Sequence, residues 1–361
     1  MICDRAELVV IGGGPAGMMC AYTAASRGVD TILLEPNRQL GRKLRITGKG
    51  RCNITNNCDV KEFMRNIPGD GRFLYSAVNR MPPEAVMSFF EEHGVPVKTE
   101  RGNRVFPVSD NANDVAGTMA KLCERAGVRV VHTKAKRVHI ENGAVTGVTT
   151  EAGLIACRAA CVCTGGLSYP LTGSTGDGYD FARAAGHSVS ALRPALVPLE
   201  SPDEYCAEMQ GFSLKNVALS VLEDNKLIFR EQLLRDFEKY SNREFKNALG
   251  DLAGFKMIPV LVRLSGIPED EKVNSITREQ RARLLHLFKA FPVRVSGTCP
   301  INESIVTAGG VCTKEINPRT MESKLVSGLY FAGEVLDVDG YTGGFNLQIA
   351  WATGFVAGNS I

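Results

Sequence analysis

The stretch Val9-Val10-Ile11-Gly12-Gly13-Gly14-Pro15-Ala16-Gly17, followed by Glu35 at the end of a second apolar run, Thr31-Ile32-Leu33-Leu34, decides how this chain is read. A buried strand here must turn sharply into a helix. Gly12 permits the turn, Gly14 lets the backbone approach a pyrophosphate, and Gly17 lets the helix pack on the strand. Pro15 and Ala16 open that helix, whose positive N-terminus points at the phosphates. Glu35 is placed to accept hydrogen bonds from an adenosine ribose and would repel a 2′-phosphate, which favours FAD or NAD over NADP. A lone G-x-G-x-x-G is weak among 37 glycines. Here a strand precedes it, a helix-compatible stretch (16–26) follows, and the acid stands at the expected distance, which is the context the motif requires.

With 361 residues the chain has room for two or three domains and a large core. Hydrophobic content of 44% and charged content of 22% describe an ordinary soluble protein. No apolar run reaches the roughly 20 residues of a membrane helix, and no basic segment precedes the first strand as a secretory signal requires. The expectation is a cytoplasmic protein with no membrane partner. A net charge of +3 is too small to argue for nucleic acid. The eleven cysteines lie mostly in apolar settings (Cys20, Cys123, Cys161, Cys163), where a reduced thiol packs as a small hydrophobe, and Cys157, Cys161 and Cys163 lack the spacing of a zinc site. No metal is expected.

Along the chain, residues 5–35 read as a β-α-β unit and 36–57 as a glycine-rich, basic loop without clear period. Residues 83–93 form a helix ended by Gly94, and Asp110 or Asn111 caps another that runs to Gly127. The runs 137–140 and 144–149 alternate around Asn142-Gly143, a hairpin signal, and begin a small antiparallel meander. The apolar run 159–163 returns to the parallel sheet, 178–185 is helical, and Asp177 stands where it can cap that helix. From about Pro194 to Thr298 glycine thins and charges cluster, with 231–247 alternating charge and Leu or Phe as a surface helix does. The nucleotide-domain texture resumes at Ile305, and 342–358 reads as a terminal helix.

Four segments together resemble one group of flavoproteins, the HI0933-like (aminoacetone-oxidase-like or BaiN-like) FAD-dependent oxidoreductases. They are the opening fingerprint, residues 41–56 (GRKLRITGKGRCNITN), 164–178 (TGGLSYPLTGSTGDG) and 328–348 (GLYFAGEVLDVDGYTGGFNLQ). The resemblance covers most of the chain. It implies an α/β fold: a Rossmann-like FAD-binding domain with a small antiparallel meander, in two parts (1–193 and 299–361), around an inserted α+β substrate domain (194–298). After Phe229 the family pattern leads one to expect more strands. The text passes straight to Glu231, so some tens of residues are absent from the inserted domain or from the numbering.

The cofactor is expected in the crevice at the strand ends. Arg42 and Lys43 suit its adenosine or pyrophosphate side, since basic groups bond phosphate oxygens, and are otherwise solubility charges. The resemblance puts Arg51 and Asn53 near the flavin ring; Arg51 has the alternative of a structural ion pair. Related folds bring backbone to the adenine at Ala135, which can equally be sheet packing. Thr164 and Gly165 let the chain pass beside the cofactor. Gly333 and Glu334 resemble a third FAD motif, with the carboxylate on ribityl or pyrophosphate-side hydroxyls. Gly344, Asn346 and Leu347 open the last helix, whose unpaired N–H groups can face the flavin N1/O2 edge.

The reading from sequence is an FAD-dependent oxidoreductase that moves a hydride between flavin N5 and a small or medium organic molecule held between the two domains. One dinucleotide fingerprint is present, so NAD(P)H, if it reduces the flavin, docks as a transient co-substrate; oxygen or the substrate itself are the other routes. Cys52 and Cys58 make an improbable redox pair. No acid or base is assigned, and Arg51, Tyr169 and His187 are the titratable or donor candidates. Tyr169 is as readily a packed tyrosine, and His187 a surface histidine. The alternatives are a fumarate-reductase-like flavoenzyme, which would need arginines such as Arg193, Arg230 and Arg263 at the flavin, and a flavin-bearing binding protein without turnover.

Overall fold

A computed structural model of the chain describes residues 2–69, 71–214, 220–223, 226–230, 249, 253–272 and 275–361. The stretch 231–247, read as a surface helix, lies outside the described residues. Two compact units emerge, residues 1–198 with 299–361, and residues 199–298. Residues 194–198 stay with the first unit, because Arg193–Ala195 pairs antiparallel with Val306–Ala308.

The first unit is built on five parallel strands in the order Leu329–Phe331, Ala159–Val162, Leu8–Ile11, Thr31–Leu34 and Arg129–Val131. Val10 lies level with Cys161 on one side and Leu33 on the other. Its central strands are buried end to end, as expected of parallel strands covered on both faces. The chain starts in the middle of the sheet, builds to one edge, then crosses back to build the other. The crevice outside the carboxyl ends therefore opens between Leu8–Ile11 and Ala159–Val162, where the direction of building reverses.

The meander is a second sheet. Ala135–Glu141, Ala144–Thr150 and Gly153–Ala156 run antiparallel, and Ile2–Arg5 adds parallel to the last. Asn142 and Gly143 both take left-handed backbone (φ 51 and 76), as the two-residue hairpin turn requires.

Two helices close on each other beside the main sheet. Pro15–Ala25 and the terminal helix Phe345–Ser360 are buried almost all round, so neither shows an amphipathic period. Glycine makes the approach possible. A Cβ on Gly354 would stand 2.3 Å from the Ala16 carbonyl oxygen, and one on Gly358 2.5 Å from that of Cys20. Trp351, fully buried, donates from Nε1 to the Ile54 carbonyl at 3.1 Å, which ties the terminal helix to the segment after the basic motif.

That segment is a correction. Residues 36–57 read as a loop, yet Arg42–Gly50 is wound as a helix, broken inside where Thr47 is extended and Gly48 and Lys49 are left-handed. Its single buried side chain, Leu44, fixes it to the core and is too little apolar signal to show a period.

The second unit has a small core of its own, with Leu249, Met257, Leu261, Ile267, Ile276 and Leu287. Ile258–Ser265 and Arg278–Lys289 are its longer described helices, the second opened by a capping box between Thr277 and Gln280. Ser220–Glu223 and Lys226–Arg230 form a hairpin, and Leu199–Glu200 pairs with Gly297–Thr298.

The helix contact predicts its own test. Gly354→Ala overpacks the contact with Ala16 and lowers stability by about 1–3 kcal/mol. Gly117→Ala lies in the helix Ala112–Arg125 with nothing within 4 Å of its Cβ and leaves stability unchanged or raised. Thermal denaturation of the two variants beside the parent measures both.

Candidate functional site

A cleft of about 560 Å³ runs along the carboxyl ends of the sheet. Of the cofactor residues named from sequence, all but Gly17 line it. Gly17 works underneath, where a Cβ would lie 1.9 Å from the Gly12 carbonyl oxygen. Gly12 takes φ 107, and a Cβ there would stand 2.6 Å from the Cys163 carbonyl oxygen. Gly14 differs from both, because a Cβ there would meet no protein atom and would fill the cleft. The helix that starts after Gly14 has no side-chain cap and no acid in its first turn, so its N–H groups are left for a ligand.

Glu35 is buried beside the glycine loop. Its Oε2 accepts from Gly13 N at 2.9 Å, and its Oε1 accepts from Asn37 N at 2.9 Å and Asn37 Nδ2 at 2.7 Å. The carboxylate thus fixes the loop, and its further lone pairs leave room for a hydroxyl donor. Arg42 donates to Asn37 Oδ1 at 2.9 Å. Ala135 opens the meander at the same end of the cleft. Asp177 does not cap its helix. It is the first helical residue, pairs with Lys134 at 2.9 Å, and accepts from the Thr175 hydroxyl.

Lys43 and Glu334 were assigned separate duties from sequence, and the structure joins them. Lys43 Nζ meets Glu334 Oε2 at 2.7 Å and Ser168 Oγ at 2.6 Å, while Glu334 Oε1 accepts from Ser168 Oγ and from Thr307 N. Four separated segments are thereby tied together. About a fifth of each charged side chain stays exposed, so solvent screens the pair in part.

Arg51 is an ion-paired residue of the cleft wall. Its guanidinium bonds Glu100 and Asp110 and lies over the Phe106 ring at 4.1 Å. Those two carboxylates, Glu100 before Asp110, push its already high pKa further up, so it cannot serve as a proton donor. Cys52, next in line, has left-handed backbone (φ 62), and burial pushes its thiol up to about 12. Burial, with Glu62 and Asp59 nearby, pushes Cys58 up to about 11, so both thiols stay protonated at neutral pH.

At the same end Gly344 (φ 101) precedes the terminal helix, and a Cβ there would stand 2.2 Å from the Thr55 carbonyl oxygen. The helix start again has no side-chain cap. Asn346 is not free to reach outward: its Oδ1 accepts from Gly340 N at 2.8 Å and its Nδ2 donates to Gly340 O at 2.7 Å, clamping the turn before the helix. Leu347 lines the cleft beside it.

Tyr169 and His187 are corrected, since neither lines the cleft. Tyr169 is partly exposed with left-handed backbone (φ 53), at the start of the turn 170–172. His187 is buried, not on the surface, and its ring nitrogens contact Glu315 Oε2 at 3.2 Å and Ser323 Oγ at 2.8 Å. Sequence reading missed other lining residues, among them Lys49, Arg104, Phe106 and Tyr341. Arg104 and Phe106 sit two apart on one strand and so face the same side, a pattern too short to stand out from sequence.

Two polar atoms of the lining have no partner, Asn53 Oδ1 and Thr164 Oγ1. A cradle that a Cβ at Gly14 would fill, two uncapped helix starts and these orphaned atoms fit a long ligand with phosphates at one end and a polar ring at the other. FAD meets that description. The HI0933-like protein Rossmann domain matches residues 6–360.

The chain belongs to the HI0933-like family.

This is a family of FAD-dependent oxidoreductases, so the fold class expected from the four segments is the one found. The ribosomal RNA dihydrouridine synthase of Escherichia coli (strain K12) is 27% identical over 400 residues, covering 99% of this chain and 98% of that one. The 3-dehydro-bile acid delta(4,6)-reductase of Clostridium scindens is 30% identical, covering 97% of this chain and 98% of that one. An alignment of 400 positions against a chain of 361 residues leaves at least 39 at which the first relative has a residue and this chain has none. A flavocytochrome c3 fumarate reductase in its open conformation shares the fold alone (TM-score 0.56, 15% identity, 99% of this chain and 78% of that one). Of the arginines a fumarate-reductase-like site would need, Arg193 is not part of the cleft lining. Among the described residues no helix is long and apolar enough to cross a membrane.

His187 gives a pH test. Burial, opposed by Glu315, holds its pKa below the ordinary value. A depressed histidine favours the neutral folded form, so stability is full above the unfolded pKa of about 6.5 and is lost as pH falls toward the folded one. Tm is expected to drop between about pH 7 and 5, with a shallower slope in His187→Gln.

Proposed function

We propose that this chain is an FAD-dependent reductase of carbon–carbon double bonds conjugated with a carbonyl, acting on a small or medium organic molecule and recharged by NAD(P)H as a transient co-substrate. The observation that carries it is the end-to-end match to two relatives whose names describe one kind of chemistry. Dihydrouridine forms when the ring double bond of a uracil, conjugated with its carbonyl, is saturated. A 3-dehydro steroid with delta(4,6) unsaturation is likewise a conjugated ketone. In both, a hydride adds to the carbon far from the carbonyl, a proton adds to its neighbour, and the carbonyl oxygen carries negative charge in between. The net charge of +3 is small for a protein that grips long RNA, which favours a small molecule.

The bound flavin supplies the hydride from N5. The chain supplies everything else. The glycine loop and the uncapped helix after Gly14 receive the pyrophosphate. Glu35 and Arg42 serve the adenosine end, and the Lys43–Glu334 strut fixes the middle. Asn53 and Thr164 offer their unpartnered oxygens, and the uncapped helix after Gly344 offers N–H groups that favour negative charge. Arg51, held by Glu100 and Asp110, orients its wall and moves no proton. Tyr341, also in the lining and half exposed, is the phenol that can give the proton.

The experiment is anaerobic stopped-flow on FAD-loaded protein. NADH or NADPH is expected to bleach the flavin, and a conjugated enone to restore its colour, with Tyr341→Phe slowing the second step by about 10²-fold and sparing the first. Reduced flavin that oxygen reoxidises and no enone does would overturn the reading in favour of an oxidase.

A further inference from the structure

Six lysines and arginines line the cleft, and three have their charge taken up within the protein. Lys43 is paired with Glu334, Arg51 with Glu100 and Asp110, and Lys134 with Asp177. Arg42 has no carboxylate partner among the described residues, but it donates to Asn37 Oδ1 beside Glu35; Lys49 and Arg104 are the other two. Both line the cleft, both are exposed, and neither has a carboxylate partner among the described residues. Arg104 spends its Nε on the Arg101 carbonyl at 3.0 Å, and its two terminal nitrogens form no ion pair among the described residues.

The two share one wall. Phe106, on the same face of the strand as Arg104, packs beneath Gly48, where a Cβ would lie 3.4 Å from its ring. The turn before Arg104 is held to the start of the terminal helix, because Asn56 Nδ2 donates to both the Gly102 and Gly343 carbonyls.

Lys49 also sits in a backbone conformation that disfavours it. Its φ of 59 lies between Gly48 (φ 58) and Gly50 (φ 83) in a run of left-handed residues. Glycine would adopt that conformation without the steric penalty a lysine meets. Strain of this kind persists where surrounding structure imposes it, and it gathers at binding sites. A lysine held there presents an uncompensated charge to the cleft.

We propose that Lys49 and Arg104 form an anion-binding lip that takes a carboxylate or phosphate carried by the substrate, remote from its reacting double bond. This rests on the reductase reading and narrows it to anionic substrates. A guanidinium fork and an ammonium together suit either anion, as charge-assisted donors.

The test is binding to oxidised, FAD-loaded protein, followed by the ligand-induced change in flavin absorbance. Two probe pairs set an anion against a neutral analogue: a 3-oxo-4,6-diene bile acid with its methyl ester, and uridine 5′-monophosphate with uridine. In at least one pair the charged member is expected to bind about tenfold tighter, with the advantage shrinking as salt rises. In Lys49→Gly and in Arg104→Gln that advantage falls to about twofold or less, while the flavin spectrum is kept and Lys49→Gly melts no lower than the parent. Equal or absent binding of charged and neutral members in both pairs overturns the proposal. So does an advantage that survives both substitutions, or a melting point lowered in Lys49→Gly. If the substitutions weaken only flavin reduction by NADPH, the anion belongs to the electron donor, and the assignment to substrate is overturned. Reoxidation of reduced flavin by the uncharged ester tests the reductase reading by itself: an ester that is reduced yet binds as well as the acid keeps the reductase and removes the lip.

Discussion

The approach of two backbones, the helix after the glycine loop and the terminal helix, is the constraint on which the remainder of the structure depends. Gly354 and Gly358, one turn apart, let the last helix come close to the carbonyls of Ala16 and Cys20. That contact places the start of the terminal helix at the same end of the sheet as the basic motif. Trp351, bonded to Ile54, and Gln348, which accepts from Thr55 and donates to Met81, then fix the depth at which the helix sits. The two uncapped N-termini that face the cleft come from these two helices, so one packing event aims both positive ends at a single ligand.

Charge in the cleft follows a division of labour. Lys43 and Glu334 bridge segments far apart in the chain, and Arg51 joins Glu100, at the end of the strand Val97–Glu100, to Asp110, in the loop after Arg104–Pro107, over an aromatic ring. Partly exposed pairs of this kind contribute little to stability singly. Their value is geometric, because each holds a wall where a cofactor fits. Two buried polar atoms of lining residues, Asn53 Oδ1 and Thr164 Oγ1, stay without protein partners.

Much of this was legible in the residues, for reasons that can be separated. Gly12 and Gly17 are legible because close backbone approach excludes a Cβ, Gly14 because a Cβ there would fill the cleft, and Glu35 because a carboxylate stands at the expected distance after the second strand. Asn142-Gly143 is legible because few residues tolerate two consecutive left-handed conformations. The winding of Arg42–Gly50 is not, because one buried leucine carries no period. Arg104 and Phe106 stay hidden because two residues on a short strand make no pattern until the strand is seen beside Gly48. Tyr169 and His187 misled because a motif's neighbours in sequence need not face its cleft: a left-handed turn carries the one away, and the other is drawn into the core by Ser323 and Glu315. Lys43 and Glu334 were each singled out, while their partnership spans 291 positions and belongs to the fold.

The strands Arg193–Ala195 and Val306–Ala308 lie side by side, so the chain leaves the cofactor domain and re-enters it through neighbouring strands. Closing an excursion between fixed, adjacent ends costs an entropy that grows only with the logarithm of its length, roughly 0.6 kcal/mol for each doubling. The alignment with the first relative spans 98% of its length, and at least 39 of its positions have no counterpart in this chain. A doorway of this kind lets the intervening segment be trimmed or extended over evolutionary time while the nucleotide-holding half keeps its shape.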